Sequence, residues 1–219
     1  MTRKSQRRAV EHQKESASVA AREKDSFGLE RLVFFSDAVF AIAITLLSIE
    51  IRLPEMRGTV TNAELWLAIL SIWPKYLAYV ISFLVIGSFW IGHHRRFRLI
   101  IRYDRGLIFL NLFLLMAIAF VPFPTSLISD YGNRTATIFY AMVMVLINVI
   151  SATIWWYAIH NDRLVDPQLS QKERRHQMMI SLLITGVFAL SIGLAFINDD
   201  LAKFSWVLAA FTNPLSRRL

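Results

Sequence analysis

The stretch Leu32-Val-Phe-Phe-Ser-Asp-Ala-Val-Phe-Ala-Ile-Ala-Ile-Thr-Leu-Leu-Ser-Ile-Glu-Ile51 decides the fold class. A helix rises about 1.5 Å per residue and the hydrocarbon core of a bilayer is about 30 Å thick, so roughly 20 such residues cross it. Working outward, further apolar runs cover Leu65–Gly92, Gly106–Ile128, Thr135–Ile159 and Met178–Ile197. A last run, Leu201–Leu215, has 15 residues and carries Lys203, so it spans only if the bilayer thins or its flanks snorkel. A chain of 219 residues, 55% hydrophobic and 18% charged, cannot enclose all these runs in one soluble core. The expectation is an all-α integral membrane protein with six transmembrane helices.

Charge sets the orientation. The net charge is +8, and 19 of the 24 Lys and Arg fall before the first run, between the second and third, between the fourth and fifth, or after the sixth. Positive residues stay on the cytoplasmic side, which places both termini there and favours an even number of crossings. Residues 1–30 read as a polar cytoplasmic tail, 31–215 as the membrane domain and 216–219 as a basic cytoplasmic end. The apolar stretch after the tail is too long for a secretory h-region. Cysteine is absent, which excludes disulfides, thiolate metal sites and a cysteine nucleophile. No basic cluster is interleaved with aromatic residues in the manner of an RNA-binding motif, so nucleic acid is not an expected partner.

Polar residues inside apolar runs carry the functional signal, because an ionisable side chain in hydrocarbon costs about 2.5–3.5 kcal/mol on insertion scales. Asp37, beside Ser36, can be an ion ligand, a proton carrier or a structural acceptor for neighbouring helices, and the structural role is favoured. Lys75 follows Trp73-Pro74, where the second run should bend or break. Pro122 and Pro124 should end or kink the third run. Asn111, Asn148 and Ser151 are expected to bridge helices, and Gly186 and Gly193 to permit close packing. Trp155-Trp156-Tyr157 reads as an interfacial aromatic belt. His93 and His94 project about 100° apart and match no metal-ligand spacing, so no metal or other cofactor is expected; hydrogen bonding toward Ser36 or Asp37 suits them better. No glycine-rich phosphate loop, hydrolase elbow or paired carboxylates are present, so an enzyme is not expected.

The segment Arg31-Leu-Val-Phe-Phe35-Ser36-Asp37 resembles the signature that opens helix one of the transmembrane protein 175 family of lysosomal-type potassium channels. Phe89-Trp90-Ile91-Gly92-His93-His94-Arg95, Asn111 and Phe120-Val-Pro-Phe-Pro-Thr125 are similar to further family features, so the likeness covers roughly residues 30–130. It implies a homotetramer whose first helix lines a central pore in a prokaryotic cytoplasmic membrane. By the same resemblance, Ile42, Leu46 and Ile49 form the pore constriction and Thr45 the layer that favours potassium. Arg31, Phe35, Ser36 and Asp37 then form a structural motif, with Trp90, His94 and Asn111 as its expected hydrogen-bond partners. Potassium, the bilayer and further copies of the chain are the implied partners. Helical periodicity alone could not select this stripe, since the run is apolar nearly all round. No Thr-Val-Gly-Tyr-Gly element is present to act as a carbonyl filter. The rival reading is a secondary transporter that uses Asp37 or Lys75.

Overall fold

The computed structural model describes residues 3–56 and 58–206. Its first helix, α1 (Arg3–Ile49), runs without interruption from the polar tail into the membrane segment. The polar tail is therefore helical from Arg3. Its Ala, Glu, Lys, Gln and Arg are good helix formers, and the folded membrane helix removes the nucleation cost of extending into them.

The second apolar run is two helices. Helix α2 (Asn62–Ser71) begins with a capping box, in which the Thr61 hydroxyl accepts from the Glu64 N–H while the Glu64 carboxylate accepts from the Thr61 N–H. It ends at Ile72, and α3 (Trp73–Phe97) restarts with Pro74 in its first turn, where a missing N–H costs nothing. Only α3 is long and apolar enough to cross a bilayer. The break also relocates Lys75, which sequence counting put deep in the second span. It stands instead in the first turn of α3 and pairs with Asp130 at 2.8 Å.

The third run is kinked as its prolines require, into α4 (Arg105–Phe120) and α5 (Pro122–Tyr131), together one crossing. Gly132 ends α5 in the left-handed region (φ 57°), and its N–H donates to the Ile128 carbonyl. Helix α6 (Arg134–Ile159) and helix α7 (Gln171–Leu194) complete the crossings, giving five candidate spans among the described residues. Residues 199–206 are again helical. The remainder of the expected sixth span, and the end at 216–219, lie outside the described residues.

Packing assembles two seams. Helix α1 lies against α3, α4 and α5, while α6 lies against α4, α5 and α7. Phe40, Ala43 and Leu47 of α1 enter a common core with Ile86, Phe89, Leu114, Ile118, Met144 and Ile147. Lipid is as apolar as these side chains, so close fit and hydrogen bonding, rather than water expulsion, hold the seams together. At the basic end, an antiparallel bridge between Ile100 and Val165 ties the α3–α4 loop to the α6–α7 loop. The Ile101 N–H donates to the Leu164 carbonyl at 2.8 Å. Trp155, expected in the aromatic belt, is fully buried, and its indole N–H donates to the Arg174 carbonyl. Trp156 is exposed beside it. Adjacent positions on a helix face different ways, so three aromatics in a row cannot all meet the interface.

Candidate functional site: the two faces of helix α1

Helix α1 presents two chemically different faces. Inward lie Ser36, Phe40, Ala43 and Leu47, all buried. Ser36 uses its hydroxyl proton on its own helix, donating to the Leu32 carbonyl at 2.8 Å. Its oxygen is left to accept from the Asn111 side-chain amide of α4 at 2.9 Å. The Asn111 carbonyl oxygen in turn lies 2.9 Å from Nε2 of His93 on α3. A carboxamide oxygen only accepts, so His93 carries its proton on Nε2. The result is a directed relay, His93 to Asn111 to Ser36 to the α1 backbone, that joins three helices. Phe97 stacks on the His93 ring at 4.1 Å, and Phe40 tilts against it at 5.6 Å. Nδ1 of His93 has no partner among the described residues.

Next to this relay, the indole N–H of Trp90 donates to Asp37 at 2.8 Å. Of the expected partners, Trp90 and Asn111 are thus brought to the Ser36–Asp37 pair. His94 is not: its ring leans on Trp90 at 5.8 Å and makes no hydrogen bond to Ser36, Asp37 or Asn111. The histidine that joins is His93. His93 lies four residues from Phe89 and four from Phe97, both buried, and so shares the inward face of α3. Arg31 and Phe35 face outward, with the Arg31 guanidinium over the Phe27 ring.

Arg96 corrects a second expectation. Counted among the aqueous basic residues of the α3–α4 loop, it is instead buried at 6% exposure, three residues beyond His93 on the same face of α3. Its guanidinium donates to the hydroxyls of Ser151 on α6 and Ser181 on α7. Ser151 was expected to bridge helices and does so, but Arg96 and Ser181 were not read as its companions because no acidic partner marked the arginine. Asn148, expected to bridge as well, donates to the Met144 carbonyl of its own helix.

The outward face of α1 carries Ile42, Leu46 and Ile49, exposed to 57%, 39% and 56% in the single chain. These residues stack at about 6 and 4.5 Å intervals along the helix axis. Thr45 lies on the same face and donates its hydroxyl proton to the Ile42 carbonyl at 2.8 Å. Ser48 does likewise to the Thr45 carbonyl at 2.7 Å. With the proton so engaged, the Thr45 oxygen can offer only lone pairs outward, which is the polarity a cation needs. Only 28% of the apolar window of α1 is buried, against 50% for α6. Among the described residues no cluster of His, Asp or Glu is placed to bind a metal ion.

Comparison with known proteins gives concordant matches. Residues 31–122 match the family model described as the endosomal/lysosomal potassium channel TMEM175. A protein named as a potassium channel in Streptomyces collinus is 39% identical over 176 residues, covering 78% of this chain and 84% of the relative. One in Chamaesiphon minutus, also named a potassium channel, is 41% identical over 152 residues, covering 68% of this chain and 72% of its own. Among solved structures, the crystal structure of a lysosomal potassium-selective channel TMEM175 homologue from Chamaesiphon minutus superposes with a TM-score of 0.76 at 34% identity. That match covers 86% of this chain and 98% of the other.

Proposed function

The chain belongs to the TMEM175 family of ion channels, a multi-pass membrane protein and not an enzyme, and on that premise we propose that it forms a potassium-permeable leak channel. In this reading four copies surround an axis in a prokaryotic cytoplasmic membrane, with α1 lining the pore, six crossings per copy and both termini in the cytoplasm. The observation that carries it is the outward stripe of α1, where Ile42, Thr45, Leu46 and Ile49 stand exposed on a membrane helix whose opposite face is anchored by hydrogen bonds.

The mechanism follows from elementary solvation. Rings of Ile42, Leu46 and Ile49 side chains narrow an aqueous path and expel water from it, so a hydrated cation meets a dewetting barrier. Widening of the rings, by rotation or splaying of α1, lets the ion pass with part of its shell. The four Thr45 oxygens then replace some of the lost water, and potassium, which gives up water more readily than sodium, is favoured. Such a site is weaker than a cage of carbonyls, so selectivity is modest. Ser36 and Asp37 act through position, holding α1 against α3 and α4.

The transporter reading has less support. Lys75 is paired with Asp130 and so is not left waiting for a substrate ion, while Asp37 is held in place by the neutral Trp90 indole N–H. Liposomes reconstituted with the purified protein under opposed potassium and sodium gradients separate the two readings. A channel gives unitary currents that reverse toward the potassium equilibrium potential. Gradient-coupled uptake that saturates, without resolvable openings, would reject the proposal.

A further inference from the structure

Helix α7 carries an exposed face that the proposed pore does not use. Arg175, Met179, Leu182, Gly186 and Leu190 follow one another at helical spacing, and all five are exposed. At the basic end of this face lies a groove of about 370 Å³ of mixed lining, with Trp156, His160, Gln171, Arg174, Arg175 and Met178 along it. Farther along the same helix lies an apolar groove of about 450 Å³, lined by Met179, Leu182, Leu183, Gly186, Val187 and Leu190.

The two grooves differ in chemistry as the two ends of a phospholipid do. Arg174 is already engaged, with Asp162 at 2.6 Å and with the carbonyls of Asp166 and Leu169. Glu173 accepts from Gln177. Lys172 and Arg175 have no acidic partner among the described residues and stand in the first turns of α7, the helix end where cations are disfavoured by the backbone dipole. An anion seated there offsets both costs. Trp156 is exposed and in ring contact with His160 at 5.0 Å, the placement expected of an aromatic residue at headgroup depth. Gly186 was expected to permit close helix packing, yet a Cβ built there would meet nothing within 4 Å. It leaves instead a notch in the exposed surface of the helix. From Arg175 to Gly186 the helix rises about 16 Å, roughly the depth of one leaflet of a 30 Å core.

We infer that the exposed face of α7 is a binding site for an anionic phospholipid, with the headgroup phosphate at Arg175 and Lys172 and an acyl chain along the Gly186 notch. The inference depends on the proposed topology only for which leaflet holds the lipid; the contacts themselves do not depend on pore function.

Native mass spectrometry of the full-length protein in non-ionic detergent tests it, with phosphatidylglycerol and phosphatidylcholine supplied in equal amounts. The protein should retain phosphatidylglycerol preferentially. Arg175→Gln, and independently Lys172→Gln, should each lower that retention about fivefold, the factor expected of one basic residue at a membrane surface. Gly186→Leu, which fills the notch, should lower retention of both lipids without changing the number of subunits. Equal retention of the two lipids by the unaltered protein would overturn the inference. Displacement of phosphatidylglycerol by free glycerol phosphate, with Gly186→Leu silent, would show a soluble-anion site instead. A changed subunit number in Gly186→Leu would show that this face joins copies of the chain. Because retention is read as mass, a failure of potassium selectivity in liposomes leaves all these outcomes legible.

Discussion

The inner and outer faces of α1 are built on opposite principles within the same four turns. On the inner face Ser36 accepts from Asn111, Asp37 accepts from Trp90, and buried Phe40, Ala43 and Leu47 fill the seam. On the outer face Ile42, Leu46 and Ile49 present bulk that stays 39–57% exposed in the single chain. Directional bonds fix the helix in rotation about its own axis, and only a helix so fixed can offer a defined stripe to a symmetry axis. On the proposed reading, the polar residues of this helix act without touching the transported ion: they aim the apolar ones.

Breaking the inner face should therefore damage assembly, and altering the outer face should change conduction while assembly survives. The largest effect is expected at Asn111. Asn111→Leu leaves buried His93 and Ser36 groups unsatisfied at about 1–3 kcal/mol each, so the folded, assembled fraction in detergent should fall sharply by size-exclusion chromatography and thermal melting. Next comes Ile42→Asn, which places an amide in the proposed constriction and should raise cation conductance in planar bilayers while the melting temperature stays close to that of the unaltered protein. A conductance that does not change would remove Ile42 from the pore. A smaller loss is expected from Asp37→Ala, which frees one indole N–H at a half-exposed site and should cost about 0.5–1.5 kcal/mol of stability with ion preference retained. A well-assembled Asp37→Ala channel that has lost its preference for potassium would mean that this carboxylate serves the ion directly.

The smallest expected effect lies away from α1, at Asp104. Burial pushes its carboxyl up, but hydrogen bonds from the Leu107 N–H, the Tyr157 hydroxyl and Arg163, with the charge of Arg163, outweigh that and hold it below its ordinary value of 3.8. A carboxylate depressed in the folded state contributes stability that is complete above its unfolded pKa and is lost as pH falls through the folded one. Thermal melting should thus show no loss from this group between neutral pH and about pH 5, and a loss below the ordinary carboxylate range that Asp104→Asn abolishes.

Much of this architecture is legible in the residue order, for a physical reason: hydrocarbon leaves the backbone only helices, and long apolar runs reveal them. Five candidate crossings among the described residues, the break before Pro74 and the kink at Pro122 follow from that constraint and from proline chemistry. The hydrogen bonds of Asn111 and Trp90 toward Ser36 and Asp37 were anticipated by resemblance. What stayed hidden depends on rotation and on partners distant in sequence. The choice of His93 over His94 turns on 100° of helix rotation. Arg96 among serines, Trp155 in the core and Lys75 against Asp130 each require knowing which helices become neighbours. The notch at Gly186 is invisible in sequence, where a glycine in a membrane helix reads equally as a contact or a gap.

The absence of cysteine from the chain allows the most direct test of the account. Single cysteines at Ile42 and at Leu47, five residues apart on opposite faces of α1, can be probed with cadmium during current recording in planar bilayers. If the outer stripe lines the conduction path, cadmium blocks Ile42→Cys channels and leaves Leu47→Cys channels open. Block of Leu47→Cys with Ile42→Cys untouched would place the ion path on the other side of the helix and contradict the account.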